Sequence, residues 1–201
     1  TTEAVTTEAA TFKYQVGTSL STSFTGEDSF DVAIEAGNTT GDVGEFDANK
    51  TADTLTLEGV SYTFPVGGAT TMVGDNTDIS TYTTGACDYS AFTDYMGDCG
   101  TGSSIGYGAT GATAAVSYAF DSGFTLAGGV TGSSDTQTDI TGEGDTYGIN
   151  SAYTTDNYGV SVTYSGSDIP EETTYTSINA YYTPDGLPSV SVGYTIGDIG
   201  G

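Results

Sequence analysis

The side chains that could do chemistry in this chain are almost all carboxylates. Asp and Glu number 27, Lys and Arg together 2, and there is no His. Without His a Ser-His-Asp arrangement is impossible. Paired carboxylates such as Glu171–Glu172 fall in polar loop sequence, where solvation is their ordinary fate. The Gly-rich run from Gly100 to Gly108 contains no Lys and does not read as a phosphate loop. Asp-rich loops could take Ca²⁺, yet the DxDxDG spacing of a calcium loop is absent. Two thiols without a His do not make a zinc site. The expectation is a chain with no catalytic residues, no metal and no cofactor, and so not an enzyme.

A second kind of chemistry needs only a wet wall. Lys13, Gln15, Ser19, Asp31, Glu35 and Glu58 fall on the polar side of alternating segments, and the side taken by Glu58 depends on a local irregularity. Rings of acidic side chains favour cations in a water-filled pore. Asp31 and Glu35 are expected to line one wall about 7 Å apart along the strand, with Lys13 the only inward cation. The plainer alternative is that both are solvated wall residues in a passage too wide to discriminate.

Cys87 and Cys99 are separated by 11 residues and lie inside a wider Gly/Asp/Thr-rich stretch. A local disulfide is the economical reading, and it implies an oxidising compartment. Closing so short a loop is worth roughly 3 kcal/mol in the chain-entropy model, enough to restrain a loop without holding up a domain. The surrounding stretch, 75–103, could fold inward as a constriction or cap the outer mouth, and capping is the preferred expectation.

These side chains must be positioned by strands. From Phe12 to Phe24 the apolar or β-branched residues Phe12, Tyr14, Val16, Thr18, Leu20, Thr22 and Phe24 occupy every second position. After Thr25–Asp28 the alternation resumes as Phe30, Val32, Ile34 and Ala36. A period of two means a strand with one apolar and one polar face. The same pattern, read onward, predicts ten strands. The third runs over Leu55–Phe64, with its parity broken by a bulge at Glu58–Gly59. The fourth runs over Ala69–Gly74, the fifth over Ile105–Phe120, and the last over Val190–Gly197.

The connections are expected to alternate strictly between short turns and long polar loops. Aromatics stand beside each short turn, Tyr62 and Tyr182 included, and Phe24, Phe30, Phe64, Phe120, Phe124, Tyr153 and Tyr158 are expected to form a girdle like that of an outer-membrane barrel. The fold class expected is all-β, an antiparallel up-and-down transmembrane β-barrel with ten strands in view, part of a larger barrel. Residues 1–10 read as an outer loop or linker, 11–198 as barrel strands and loops, and 199–201 as the start of another outer loop. No window of about 18 apolar residues exists, so no transmembrane helix is expected. A net charge of −25 argues against nucleic acid, whose phosphates nothing here could neutralise.

Several ordered stretches resemble a known family. TFKYQVGTSLSTSFTGEDSFDVAIEAGN, VSYTFPVGG, YAFDSGFTLAGG and LPSVSVGYTIGDIGG are similar to the barrel portion of cyanobacterial outer-membrane porins, described as iron-uptake or carbohydrate-selective porins. The resemblance implies passive diffusion of small hydrophilic solutes and inorganic ions across the outer membrane of a Gram-negative-type, cyanobacterial cell. Its implied partners are the lipid bilayer and those solutes, with a homotrimer as a candidate assembly. Peptidoglycan would be held only through an S-layer-homology domain, which these 201 residues do not include. Members tend to carry arginines after the TSFTG turn, where this chain has Asp31 and Glu35, so anion selectivity does not carry over and weak cation selectivity is expected. The competing expectation is a secreted or surface-attached acidic β-rich adhesion protein without a pore.

Overall fold

The computed structural model describes residues 12, 14–38, 53–77, 79–87, 111–132, 140, 145–168 and 172–199. Ten strands follow one another: β1 (Gln15–Thr22), β2 (Ser29–Gly37), β3 (Thr56–Val66), β4 (Ala69–Asp75), β5 (Thr113–Ala119), β6 (Phe124–Thr131), β7 (Thr146–Thr154), β8 (Tyr158–Ser167), β9 (Thr173–Tyr182) and β10 (Val190–Ile199). A 3₁₀ turn, Ile79–Tyr82, lies between β4 and β5. Each strand pairs with the next, so the sheet order is β1 to β10 without a crossover. Every pairing is antiparallel. This is an up-and-down sheet, with β1 and β10 at its two edges.

The irregularity expected in the third strand is where parity placed it. Ala33 pairs with Gly59 and Ile34 with Leu57, which leaves Glu58 as the extra residue of a bulge. Without it, Leu57 and Val60 could not share a face, because a one-residue slip reverses every side chain beyond it.

The first strand is shorter than the alternation suggests. Ladder pairing begins at Gln15, and beyond it Asn38 continues the bonding, its backbone N–H donating to the Tyr14 carbonyl at 3.3 Å and its side chain adding two bonds. Asn38 Oδ1 accepts from the Tyr14 N–H at 3.0 Å, and Asn38 Nδ2 donates to the Phe12 carbonyl at 3.0 Å. The fifth strand begins at Thr113, not Ile105. Residues 1–10, 105–110 and 200–201 lie outside the described residues.

Five connections, 23–28, 67–68, 120–123, 155–157 and 183–189, fall at one end of the sheet, and 38–55, 76–112, 132–145 and 168–172 at the other. The expected strict alternation of length fails once, because 168–172 is shorter than two of the turns opposite it, 23–28 and 183–189. The tightest turn is Gly67–Gly68, where both residues have positive φ, 56° and 85°. That is the backbone a two-residue hairpin matching the sheet's twist demands, and it favours glycine.

The two faces differ sharply. Residues that are Cα partners share a face, so the register sorts every strand position. One face carries Val16, Leu20, Leu57, Val73, Val116, Leu126, Ile149, Val160, Val162, Ile178, Val192 and Ile196, all exposed. Val32 and Ile34 share it and are half-buried. A contiguous apolar surface of this extent is far beyond what a soluble monomer shows. It is the pattern of a sheet whose outer side meets lipid. The buried positions on the other face are mostly small or polar, among them Thr113, Thr131, Asn150, Ser161, Thr163, Ser165 and Ser177.

Candidate functional site

Cross-strand rows build the polar face. One row runs Thr63–Met72–Ala115–Gly129–Gly148, and another Ala127–Asn150–Thr163–Ser177–Thr195. Small side chains keep this face open, and where a large ring does appear a glycine stands opposite to receive it. Tyr181 pairs with Gly159 and Tyr175 with Gly197. A Cβ added at Gly159 would fall 2.3 Å from Tyr181 Cε1, so the ring lies directly over the bare backbone.

Onto this face folds the described part of the long 76–112 connection. Ile79, 1% exposed, packs with Met72 and Ala115, and Tyr82 closes over them. A Cβ on Gly129 would meet Ile79 Cγ2 at 3.0 Å. Tyr82 Oη and Thr63 Oγ1 share a hydrogen bond of 2.7 Å. Further along, the Thr84 N–H donates to Asn150 Oδ1 at 3.0 Å, and Asn150 Nδ2 donates to the Thr84 carbonyl at 3.2 Å. The Ala86 N–H donates to Ser161 Oγ at 2.9 Å. The capping expectation is thus corrected for residues 79–87, which lie on the polar wall. The cause is an apolar residue, Ile79, that finds its socket between Met72 of β4, Ala115 of β5 and Gly129 of β6. Beside this segment is a cavity of ≈ 460 Å³ bordered by Thr84, Cys87, Asp156 and Tyr181.

Of the six residues expected to line a pore, Gln15, Ser19, Asp31 and Glu35 share the polar face by register. Glu58, set free of the ladder by the bulge, borders a cleft of ≈ 240 Å³ together with Ser19 and Asp31. Lys13 lies outside the described residues. Asp31 and Glu35 stand either side of Ala33, four residues and roughly 13 Å apart along the strand. The 7 Å expectation counted one same-face step where there are two.

Neutral donors hold these acids. The Ser29 hydroxyl donates to Asp31 Oδ2 at 2.5 Å, Gln15 Nε2 to Glu35 Oε2 at 3.0 Å, and Thr56 Oγ1 to Glu58 Oε1 at 2.8 Å. Neither Lys13 nor Lys50 is among the described residues, so every described charged side chain is an acid. Among the described residues no group of three or more ligating side chains could hold a metal ion. No free cysteine occurs among them either, and Cys99, the partner expected for Cys87, lies outside them.

The seven residues expected to form the girdle all make ring contacts near the short turns. Phe24 meets Phe30 and Tyr62, each with ring centroids 6.1 Å apart. Tyr62 stacks on Phe64 at 5.2 Å, Phe120 meets Phe124 at 5.4 Å, and Tyr153 meets Tyr158 at 6.1 Å. At the opposite end Phe12 meets Tyr14 and Tyr147 meets Tyr164, each pair at 6.4 Å. Tyr14 and Phe24 are ten residues apart, roughly 33 Å along a strand. At a tilt of about 40° that is about 25 Å of height, the depth of an apolar band.

Asp28 anchors the first turn within this ring of aromatics. Its Oδ1 accepts from the Ser23 hydroxyl at 2.6 Å, the Phe24 N–H at 3.0 Å and the Thr25 N–H at 2.8 Å. Its Oδ2 accepts from the Tyr62 hydroxyl at 2.7 Å. These donors, the Ser23 hydroxyl foremost, hold the carboxyl well below the usual carboxylate range. A depressed folded-state pKa stabilises the fold fully above the unfolded value near 4, and that contribution shrinks as pH falls further. The thermal stability lost in Asp28→Asn should therefore be constant from pH 7 down to about pH 4 and diminish below it. Detergent-solubilised melting curves across that range test this, and a penalty independent of pH would defeat it.

Sequence signals for Asn150, Ser161, Ile79 and Tyr82 were slight. Asn150 and Ser161 occupy ordinary polar positions of the alternation, and Ile79 and Tyr82 stand alone in polar sequence.

No family model matches the chain, and no curated protein matches it. Solved structures do. Three mutant forms of the Rhodopseudomonas blastica porin match with TM-scores of 0.57 at 14%, 16% and 15% identity. Each match covers 91% of this chain and 64% of the porin, so the chain spans under two thirds of those porins' length. At such identity the likeness shows the fold. This chain has the antiparallel up-and-down architecture of a porin barrel.

Proposed function

We propose that this chain forms the wall of an outer-membrane porin that passes small hydrophilic solutes and inorganic ions by diffusion, with weak preference for cations. The observation that carries the reading is the two-faced sheet, apolar and exposed on one side and polar on the other, with residues 79–87 folded onto the polar side. An apolar face held in lipid leaves the polar face to line water. Residues 79–87 then narrow the passage, and no catalytic group is required for solutes to cross it.

The resemblance of the TFKYQVGTSLSTSFTG and VSYTFPVGG stretches to cyanobacterial porins supports a place in that group. Iron or carbohydrate uptake and a homotrimeric assembly belong to this proposal on the same ground. Cys87 and Cys99 form a disulfide in it, which thiol alkylation with and without reductant would report. A secreted adhesion protein offers no reason to leave Val160, Val162, Val192 and Ile196 exposed, and it would stay soluble without detergent. The deciding experiment adds the purified chain to a planar bilayer. Discrete, ohmic conductance steps are expected, and folded, membrane-inserted protein that gives no steps would end the porin reading.

A further inference from the structure

Residues 79–87 are attached to the polar wall at two unlike places. At one end Ile79 is an apolar peg in the socket of Met72 and Ala115. At the other, side chains of the wall read the backbone of the segment. Asn150, fully buried, takes both polar groups of Thr84, accepting from its N–H and donating to its carbonyl. Its second amide hydrogen goes to Thr163 Oγ1 at 2.9 Å. The two Thr84 bonds fix which end of the amide is which, since a flipped amide would set N–H against the Thr84 N–H and oxygen against the Thr84 carbonyl. Ser161, on the neighbouring strand, accepts from the Ala86 N–H two residues on.

We propose that Asn150 is the positioning residue of the channel, the latch that holds residues 84–86 flat against the wall and so sets the aperture. The inference rests on the porin reading. Only an amide side chain of this length serves. A carboxylate in its place could accept from the Thr84 N–H but would face the Thr84 carbonyl with negative charge. Glutamine would push the segment off the wall by one methylene. Alanine would leave two backbone groups without partners on a buried surface, a state that favours release into water. A released segment remains tied to the chain on both sides and sweeps through the lumen.

The test joins hydrogen exchange with single-channel recording on the folded protein, comparing wild type, Asn150→Ala and Thr84→Pro. The proline variant deletes the donor from the segment itself and changes no strand residue, so barrel folding is not at stake. The Thr84 and Ala86 amides should be protected in the wild type. In Asn150→Ala they should exchange roughly 30- to 100-fold faster, as expected for two lost hydrogen bonds, while strand amides of β7 and β8 keep their protection. In Thr84→Pro, which has no amide at position 84, the Ala86 amide should accelerate. Both variants should replace one steady conductance with rapid partial closures.

A wild type that conducts steadily, with variants matching it in noise and Ala86 exchange, overturns the latch and leaves the porin reading intact. A wild type without conductance overturns the porin reading and the aperture role with it.

Discussion

Val162→Lys should nearly abolish insertion of the folded chain into vesicles, whereas Ser19→Lys should leave insertion unchanged. Val162 sits mid-strand in β8, paired with Ser151 on one side and Ile178 on the other. It is 42% exposed and lies between Tyr158 and Tyr164, the members of the two aromatic rows on its own strand. A lysine near the middle of the apolar band costs about 2–4 kcal/mol. That is a large part of the roughly 5–15 kcal/mol that usually separates folded from unfolded states. Ser19 pairs with Ala33 on the polar face, where a charge meets water. The fraction of protein protected from protease after mixing with preformed vesicles measures the difference. Equal insertion of both variants would mean that the exposed apolar face does not meet lipid.

The same contrast explains how much could be read in advance. Alternation was legible because a lipid-facing sheet needs apolar residues at every second position, and period two survives in sequence whatever the strand ends do. The bulge was legible too, since Leu57 and Val60 on one face require an extra residue between them. Strand ends were not. Beyond Gln15 one backbone bond, from the Asn38 N–H to the Tyr14 carbonyl, is joined by two from the Asn38 side chain, and no periodic signal records a side chain that completes a strand end.

The inward fold of residues 79–87 was hidden for a stronger reason. Thr84 and Asn150 are 66 positions apart, and their contact joins backbone to side chain. Any residue except proline could supply those backbone groups. Only the wall side carries identity, and an Asn on the polar side of a strand looks like any solvated residue. The acids of β2 were legible as a set, yet their spacing was misjudged because same-face neighbours in a strand are two residues apart, not four.

Those acids carry the last expected result. In a bilayer separating unequal KCl concentrations, the wild-type channel should give a reversal potential of the sign for cation preference, and Asp31→Asn with Glu35→Gln should cut it by about half or more. Asp31 and Glu35 share the polar face with Gln15 and Ser19, and Glu58 borders the same cleft as Asp31. Their described side-chain hydrogen-bond donors are neutral hydroxyls and an amide. Such donors orient the carboxylates without cancelling their charge. The field of a chain carrying −25 adds to theirs at the mouth, but at distances where salt screens it, about 10 Å at 0.1 M. Raising ionic strength should therefore remove the part of the selectivity that survives in the double variant before it removes the part due to Asp31 and Glu35. If the wild type prefers anions, the acids of β2 do not govern the passage. If it prefers cations and the double variant is unchanged, selectivity comes from the diffuse charge of the chain, and the wall residues of β2 are solvated bystanders.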